Sequence, residues 1–161
     1  MLYKNQLTKE QVLQKLKHYC GYQERCHREV KEKLYNLGVW KKEHDEIMAT
    51  LIEEGYLNEE RFAIAFAGGR FRMKQWGRVK IKYELKQKQV SDYSIRKALK
   101  QINEEEYMTT LKKLAEEKHA SLKDEQYLVR EKKTMDYLLQ KGFEPELLIA
   151  AIKAITEKKS R

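Results

Sequence analysis

Helix punctuation recurs three times along this chain, and a recurrence of that kind constrains the fold more than any single element does. Thr8-Lys9-Glu10-Gln11 is a Thr-x-x-Gln capping box. Asn103-Glu104-Glu105-Glu106 is its Asn-x-x-Glu counterpart. Asn58-Glu59-Glu60-Arg61 has the cap and the acidic first turn without the returning side chain. The starts lie 50 and then 45 residues apart. A second signal falls inside each interval, a short turn between two apolar residues: Leu34 to Gly38-Val39, Leu85 to Gln89-Val90, and Leu138 to Gly142-Phe143. Gly38 and Gly142 suit the residue after a helix end, where φ > 0 is needed. Gln89 suits it less, so that turn is expected to differ or to be mildly strained. Each turn leads into apolar pairs at i, i+4 (Ile47/Leu51, Ile95/Leu99, Leu148/Ile152), and Pro145 sits where a first helical turn tolerates it.

The repeating piece is therefore three helices in about 50 residues. Helices are predicted near 8–20, 24–37, 42–54, 58–74, 77–88, 91–102, 103–118, 124–141 and 145–157. Their apolar faces are predicted as Leu13/Leu16/Cys20, Cys26/Val30/Leu34/Leu37, Phe62/Phe66/Gly69/Met73 and Ile95/Leu99/Ile102. Composition agrees: 98 of 161 residues are strong helix formers, and 7 Gly with 1 Pro are too few for the turns of an all-β fold. A piece this small buries little surface alone, so stacked neighbours must supply the rest. The expected fold is an all-α tandem array of three three-helix repeats, elongated and curved, with repeats at 1–57, 58–102 and 103–161.

Several function classes are disfavoured. No 18-residue apolar stretch and no apolar leader is visible, so a cytoplasmic protein without a membrane partner is expected. Cys20 and Cys26 match no zinc or redox spacing and are expected as two reduced, helix-borne thiols. Phosphate-loop, dinucleotide, zincin and nucleophile-elbow motifs are missing. His18, His27, His44 and His119 are scattered and expected at the surface. The acidic pairs Glu53/Glu54, Glu59/Glu60 and Glu116/Glu117 are expected to be solvated. No catalytic residue, metal or cofactor is expected, and the chain is not expected to be an enzyme.

The formal charge is +9, and its distribution says more than its total. Residues 1–57 carry 10 basic and 9 acidic groups, 58–102 carry 12 and 4, and 103–161 carry 12 and 12. The middle repeat thus holds nearly all of the excess. Arg70, Arg72, Lys74, Arg78, Lys80, Lys82 and Lys86 are the candidate binding residues, with Lys88 following and only Glu84 opposing. Arg78, Lys82 and Lys86 would form one stripe at i, i+4 and i+8, a like-charge arrangement that weakens a helix, while Ile81 and Leu85 anchor its other side. Such density costs self-repulsion unless a polyanion meets it. Phe71, Trp76 and Tyr83 interleave with the cations; they serve either as stacking platforms for unpaired bases or as core. Trp76-Gly77 has the look of an interhelix turn that needs an apolar plug. Nucleic acid and an acidic protein groove would both satisfy the charge.

The runs Gly55-Tyr-Leu-Asn-Glu-Glu-Arg-Phe-Ala63, Gly69-Arg-Phe-Arg72 and Trp76-Gly-Arg-Val-Lys-Ile-Lys-Tyr-Glu-Leu85 resemble the RecX family of recombinase regulators. So do Tyr22-Gln-Glu-Arg-Cys-His-Arg-Glu-Val-Lys-Glu-Lys-Leu34 and, more weakly, Tyr137-Leu-Leu-Gln-Lys-Gly-Phe143. The resemblance covers about residues 8–155. It implies a bacterial cytoplasmic protein that binds the RecA recombinase, chiefly as its filament on single-stranded DNA, and restrains its recombination and ATPase activities. The array would lie in a filament groove, touching several recombinase subunits, with single-stranded DNA met directly or through the filament. A monomer is expected. Where the family usually has Arg and Ser before the second helix, this chain has Arg25-Cys26, so a local hydrogen bond is expected to be weaker. The rival expectations are a stand-alone helical DNA-binding module and an adaptor for an acidic protein.

Overall fold

The computed structural model describes residues 2–159, and Met1, Ser160 and Arg161, the outermost residues of the first and third predicted repeats, lie outside the described residues. The described chain is all-α, with no strand among those residues. Its helices are α1 (Lys9–Tyr22), α2 (His27–Asn36), α3 (His44–Glu53), α4 (Glu59–Lys74), α5 (Arg78–Gln87), α6 (Asp92–Lys100), α7 (Glu104–Ser121), α8 (Tyr127–Lys141) and α9 (Pro145–Lys159). A single 3-10 turn, Lys41–Glu43, precedes α3.

The local signals act as their chemistry requires. The Thr8 hydroxyl accepts from the Gln11 N–H at 3.2 Å, and the Thr8 N–H donates to the Gln11 side chain at 2.8 Å. The Asn58 and Asn103 side chains accept from the N–H groups of Arg61 and Glu106, each at 2.9 Å. Arg61, which stands where a returning side chain would be, instead reaches the Gly55 carbonyl at 2.9 Å and Glu24 at 2.7 Å. The three turns share one hydrogen-bond pattern. Val39, Val90 and Phe143 donate to the carbonyls of Leu34, Leu85 and Leu138 at 3.1, 3.1 and 3.2 Å. Gly38, Gln89 and Gly142 all take left-handed conformations, with φ of 78°, 63° and 96°. Gln89 therefore keeps the geometry of its glycine counterparts and carries the steric strain that a Cβ brings there.

These helices pack into two compact units, Met1–Phe66 with Leu85–Ala98, and Ala67–Glu84 with Leu99–Arg161. The first is built on Val12, Leu16 and Cys20 of α1, Val30 and Leu34 of α2, and Ile47, Met48 and Leu51 of α3, closed by Tyr3, Val39 and Leu57. At the start of α4, Glu59 accepts from the hydroxyls of Ser91 and Ser94 at 2.5 and 2.8 Å and so ties the start of α6 to α4. The second unit carries an aromatic row: Phe71 and Phe143 flank Tyr107, with ring centroids 5.7 and 5.3 Å away.

Five expectations are corrected. The buried face of α4 runs Phe62, Ala63, Ala67, Phe71, whereas Phe66 is only half-buried and Met73 is 86% exposed. The face that is buried therefore combines two phenylalanines with two alanines, and periodicity in the bulky residues alone did not mark it. On α1, Val12 takes the fully buried place expected of Leu13, which is half-buried. His44 and His119 are buried, not solvated; the His44 ring Nε2 lies 3.0 Å from the Val39 carbonyl. Glu59 leaves the solvated class because burial and the two serines claim it. Both thiols are free and buried, but Cys26 caps α2 from outside instead of lying in it. Burial, first among the causes, pushes the Cys26 thiol up to about 11. Its N–H is held by the Glu29 carboxylate at 3.2 Å.

Candidate functional site

The densest run of cations, from Arg70 to Lys82, lies in the second unit, where six basic residues of Ala67–Glu84 face the single carboxylate Glu84. The backbone decides where they point. α4 ends at Lys74, and Gln75 takes a left-handed φ of 56° while its N–H donates to the Phe71 carbonyl at 2.9 Å. The Trp76 N–H then turns back to the Arg70 carbonyl at 3.3 Å. Next, the chain docks on the end of α8: Gly77 and Val79 donate to the carbonyls of Lys141 and Gly142 at 2.8 and 2.9 Å. Backbone meets backbone here. A Cβ on Gly77 would overlap the Gly142 carbonyl, and one on Gly142 would stand 2.6 Å from the Lys80 nitrogen. The glycine of the Trp-Gly pair is thus demanded by close approach, at a backbone conformation open to any residue.

This docking leaves Trp76 half-buried with cations gathered round it. The Lys80 ammonium is 4.5 Å from the ring centroid; the Lys74 ammonium and the Arg70 guanidinium are each 5.5 Å away. The Lys141 ammonium donates to the Lys74 carbonyl at 2.8 Å, adding a cation at the negative end of the α4 dipole. Each cation–ring contact contributes about 0.5–1 kcal/mol at an exposed site, which offsets part of the repulsion among like charges. The ring therefore acts as the apolar plug of a turn and as the post on which separate helices align their positive charge. Arg72 and Lys82 are exposed nearby in sequence, and Tyr83 is 61% exposed.

The predicted stripe on α5 loses its first member as a free cation. Arg78 turns inward. Its guanidinium pairs with Glu144 at 2.8 Å and with Glu104, and lies 3.8 Å from the Tyr107 ring centroid. The Tyr107 hydroxyl accepts from the Arg78 N–H at 3.0 Å and donates to Glu144. Burial opposes the Arg78 charge, but Glu144 and then Glu104 hold its pKa above the ordinary value. Burial and the Glu144 carboxylate push the Tyr107 phenol well up, so it stays a donor at any physiological pH. Lys86 packs with the first unit, 3.9 Å from Asp92. Phe71, 5% exposed, is core.

Tyr107, Glu104, Glu144 and Lys141 were not singled out in the sequence. They meet Arg78 and Lys74 across separations of 26 to 67 residues, and no local pattern announces such partners. Chemically, the cluster offers fixed positive charge beside a flat aromatic face, which suits an anionic partner. Among the described residues no helix is long and apolar enough to cross a membrane.

Comparison with known proteins matches residues 58–99 to the family model for the second three-helix domain of RecX, and residues 104–159 to that for the third. The Regulatory protein RecX of Bacillus cytotoxicus is 26% identical over 141 residues, which is 88% of this chain and 52% of that protein. That of Bacillus cereus strain B4264 is 24% identical over the same shares. The chain thus spans about half the length of the curated relatives it matches. Among solved structures, RecX from Lactobacillus salivarius superposes with a TM-score of 0.83 at 23% identity, over 91% of this chain and 96% of that one. A second regulatory protein RecX gives 0.78 at 22% identity, over 90% and 73%.

Proposed function

The chain belongs to the RecX family, and on that premise we propose that it is a non-catalytic regulator of the RecA recombinase. It binds RecA, or the RecA filament on single-stranded DNA, and restrains recombination and ATP hydrolysis. It acts as a monomer in the cytoplasm, with the middle one of the repeats 1–57, 58–102 and 103–161 as its contact.

One observation carries this reading to residues: Arg70, Lys74 and Lys80 converge on the half-buried Trp76. Cations held at fixed positions lose little conformational freedom when phosphates or recombinase carboxylates arrive. Arg72 and Lys82 extend the contact; Lys86, which belongs to the first unit, binds on its own account. Arg78 acts by orienting α5, since its charge is already matched by Glu104 and Glu144.

The test is RecA-dependent ATP hydrolysis and strand exchange on single-stranded DNA with substoichiometric amounts of this chain. Both rates should fall, and Lys74→Glu with Lys80→Glu should relieve the effect. Unchanged rates at every ratio would overturn the reading. The same cluster favours a second one, a stand-alone helical DNA-binding module. That reading expects salt-sensitive retention of DNA without RecA, and restraint of RecA only on DNA the protein already coats.

A further inference from the structure

The first unit carries a separate cationic face, on α6. Its stretch Leu85–Ala98 holds Lys86, Lys88, Arg96 and Lys97 against one carboxylate, Asp92. Ser94, Ile95 and Ala98 are buried, at 4%, 1% and 1%, so Tyr93, Arg96 and Lys97 project to solvent by helix geometry. Tyr93 is 54% exposed, with the Lys97 ammonium 5.1 Å from its ring centroid. Arg96 has no ion-pair partner among the described residues, and Glu60 approaches Lys97 only at 3.5 Å. Asp92, the one acid within the stretch itself, has Lys86 at 3.9 Å. The platform is firm, because the Ser91 and Ser94 hydroxyls bind Glu59 on α4.

We propose that the outer face of α6, with Tyr93, Arg96 and Lys97, is a second nucleic-acid contact that takes single-stranded chains, separate from the Trp76 cluster. Adjacent cations at i+3 and i+4 from an exposed ring match the alternation of phosphate and base in an unpaired strand. A duplex hides its base faces and leaves the ring without a partner. An acidic protein surface would meet the two cations but leave the tyrosine unexplained. The inference rests on the reading of this chain as a regulator that meets single-stranded DNA, and it locates one of the contacts.

The experiment is anisotropy of labelled oligo-dT, oligo-rU and a hairpin duplex with the full chain, across a range of KCl and without RecA. Arg96→Glu with Lys97→Glu should weaken oligo-dT binding at least tenfold and flatten the log–log salt slope by about 1.4, the release expected for two contacts to a single strand. Tyr93→Ala should weaken both single strands about tenfold and leave the duplex unchanged. All three residues are exposed, and circular dichroism melts confirm the fold; Arg96→Gln with Lys97→Gln serves if the reversed charges unfold it. Unchanged affinity and slope overturn the inference, as does no binding by the parent chain. Lost restraint of RecA with intact oligonucleotide affinity also overturns it and assigns the face to protein. None of these outcomes overturns the RecA reading, which stands or falls on the hydrolysis and exchange assay.

Discussion

At the scale of single residues, three equivalent turn positions show how much a Cβ costs. Gly38 and Gly142 pass into left-handed φ without penalty; Gln89 does so at 63° with a full side chain exposed to solvent. Gln89→Gly should raise the stability by about 1 kcal/mol, seen as a higher urea midpoint at constant slope. Gly142→Ala should do the reverse, by about 2–4 kcal/mol, since strain is joined by overlap with the Lys80 backbone. The left-handed turns were legible, because apolar spacing marks a helix end whatever residue follows it. Cys26, buried at 1%, shows the other side of legibility. Its depth is set by tertiary packing, and the spacing to Cys20 carries no trace of that.

Between helices, titration connects α4 to α6. Burial disfavours the Glu59 charge, yet bonds from Ser91 and Ser94 outweigh it and leave its carboxyl below the ordinary range. A carboxyl whose folded pKa lies below its unfolded value stabilises the fold fully above the unfolded value, about 4.3, and loses that contribution as pH falls through the folded one. Glu59→Gln should therefore lower stability at pH 7 and make it less dependent on pH below about 4.5; parallel acid titrations with a helical signal at 222 nm test both. A titration curve identical to that of the parent chain would exclude the linkage. On α5, the periodicity located the helix and its buried side, Ile81 and Leu85, both fully buried. It also placed Arg78, Lys82 and Lys86 in line. It could not show that Tyr107, Glu104 and Glu144 arrive over Arg78, because those residues belong to elements whose approach is set by packing. A stripe of equal charges on a helical wheel is therefore a weaker sign of a binding face than a stripe checked against its neighbours.

For the whole molecule, continuity of α4 and α5 is the governing fact. Each helix starts in one compact unit and passes into the other, so neither unit keeps its complete wall if the other unfolds. The chain should therefore unfold in one transition. Its two tryptophans are placed to report this, Trp40 in the first unit and Trp76 in the second. Single-tryptophan versions, Trp40→Phe and Trp76→Phe, should give coincident urea midpoints by fluorescence, and separated midpoints would show that the shared helices do not couple the units. The sequence by itself determined the all-α class, the recurrence of three helices, the caps and turns that bound them, and the concentration of charge in the middle repeat. These are local quantities: caps act over three residues, turns over five, and net charge needs no geometry. Only the tertiary structure decided which cations stay exposed, which face of α4 is buried and how the middle helices are shared between two packed units. Those outcomes depend on groups brought together from distant parts of the chain, where side-chain volume and paired charge select one arrangement among many that the same periodicity allows.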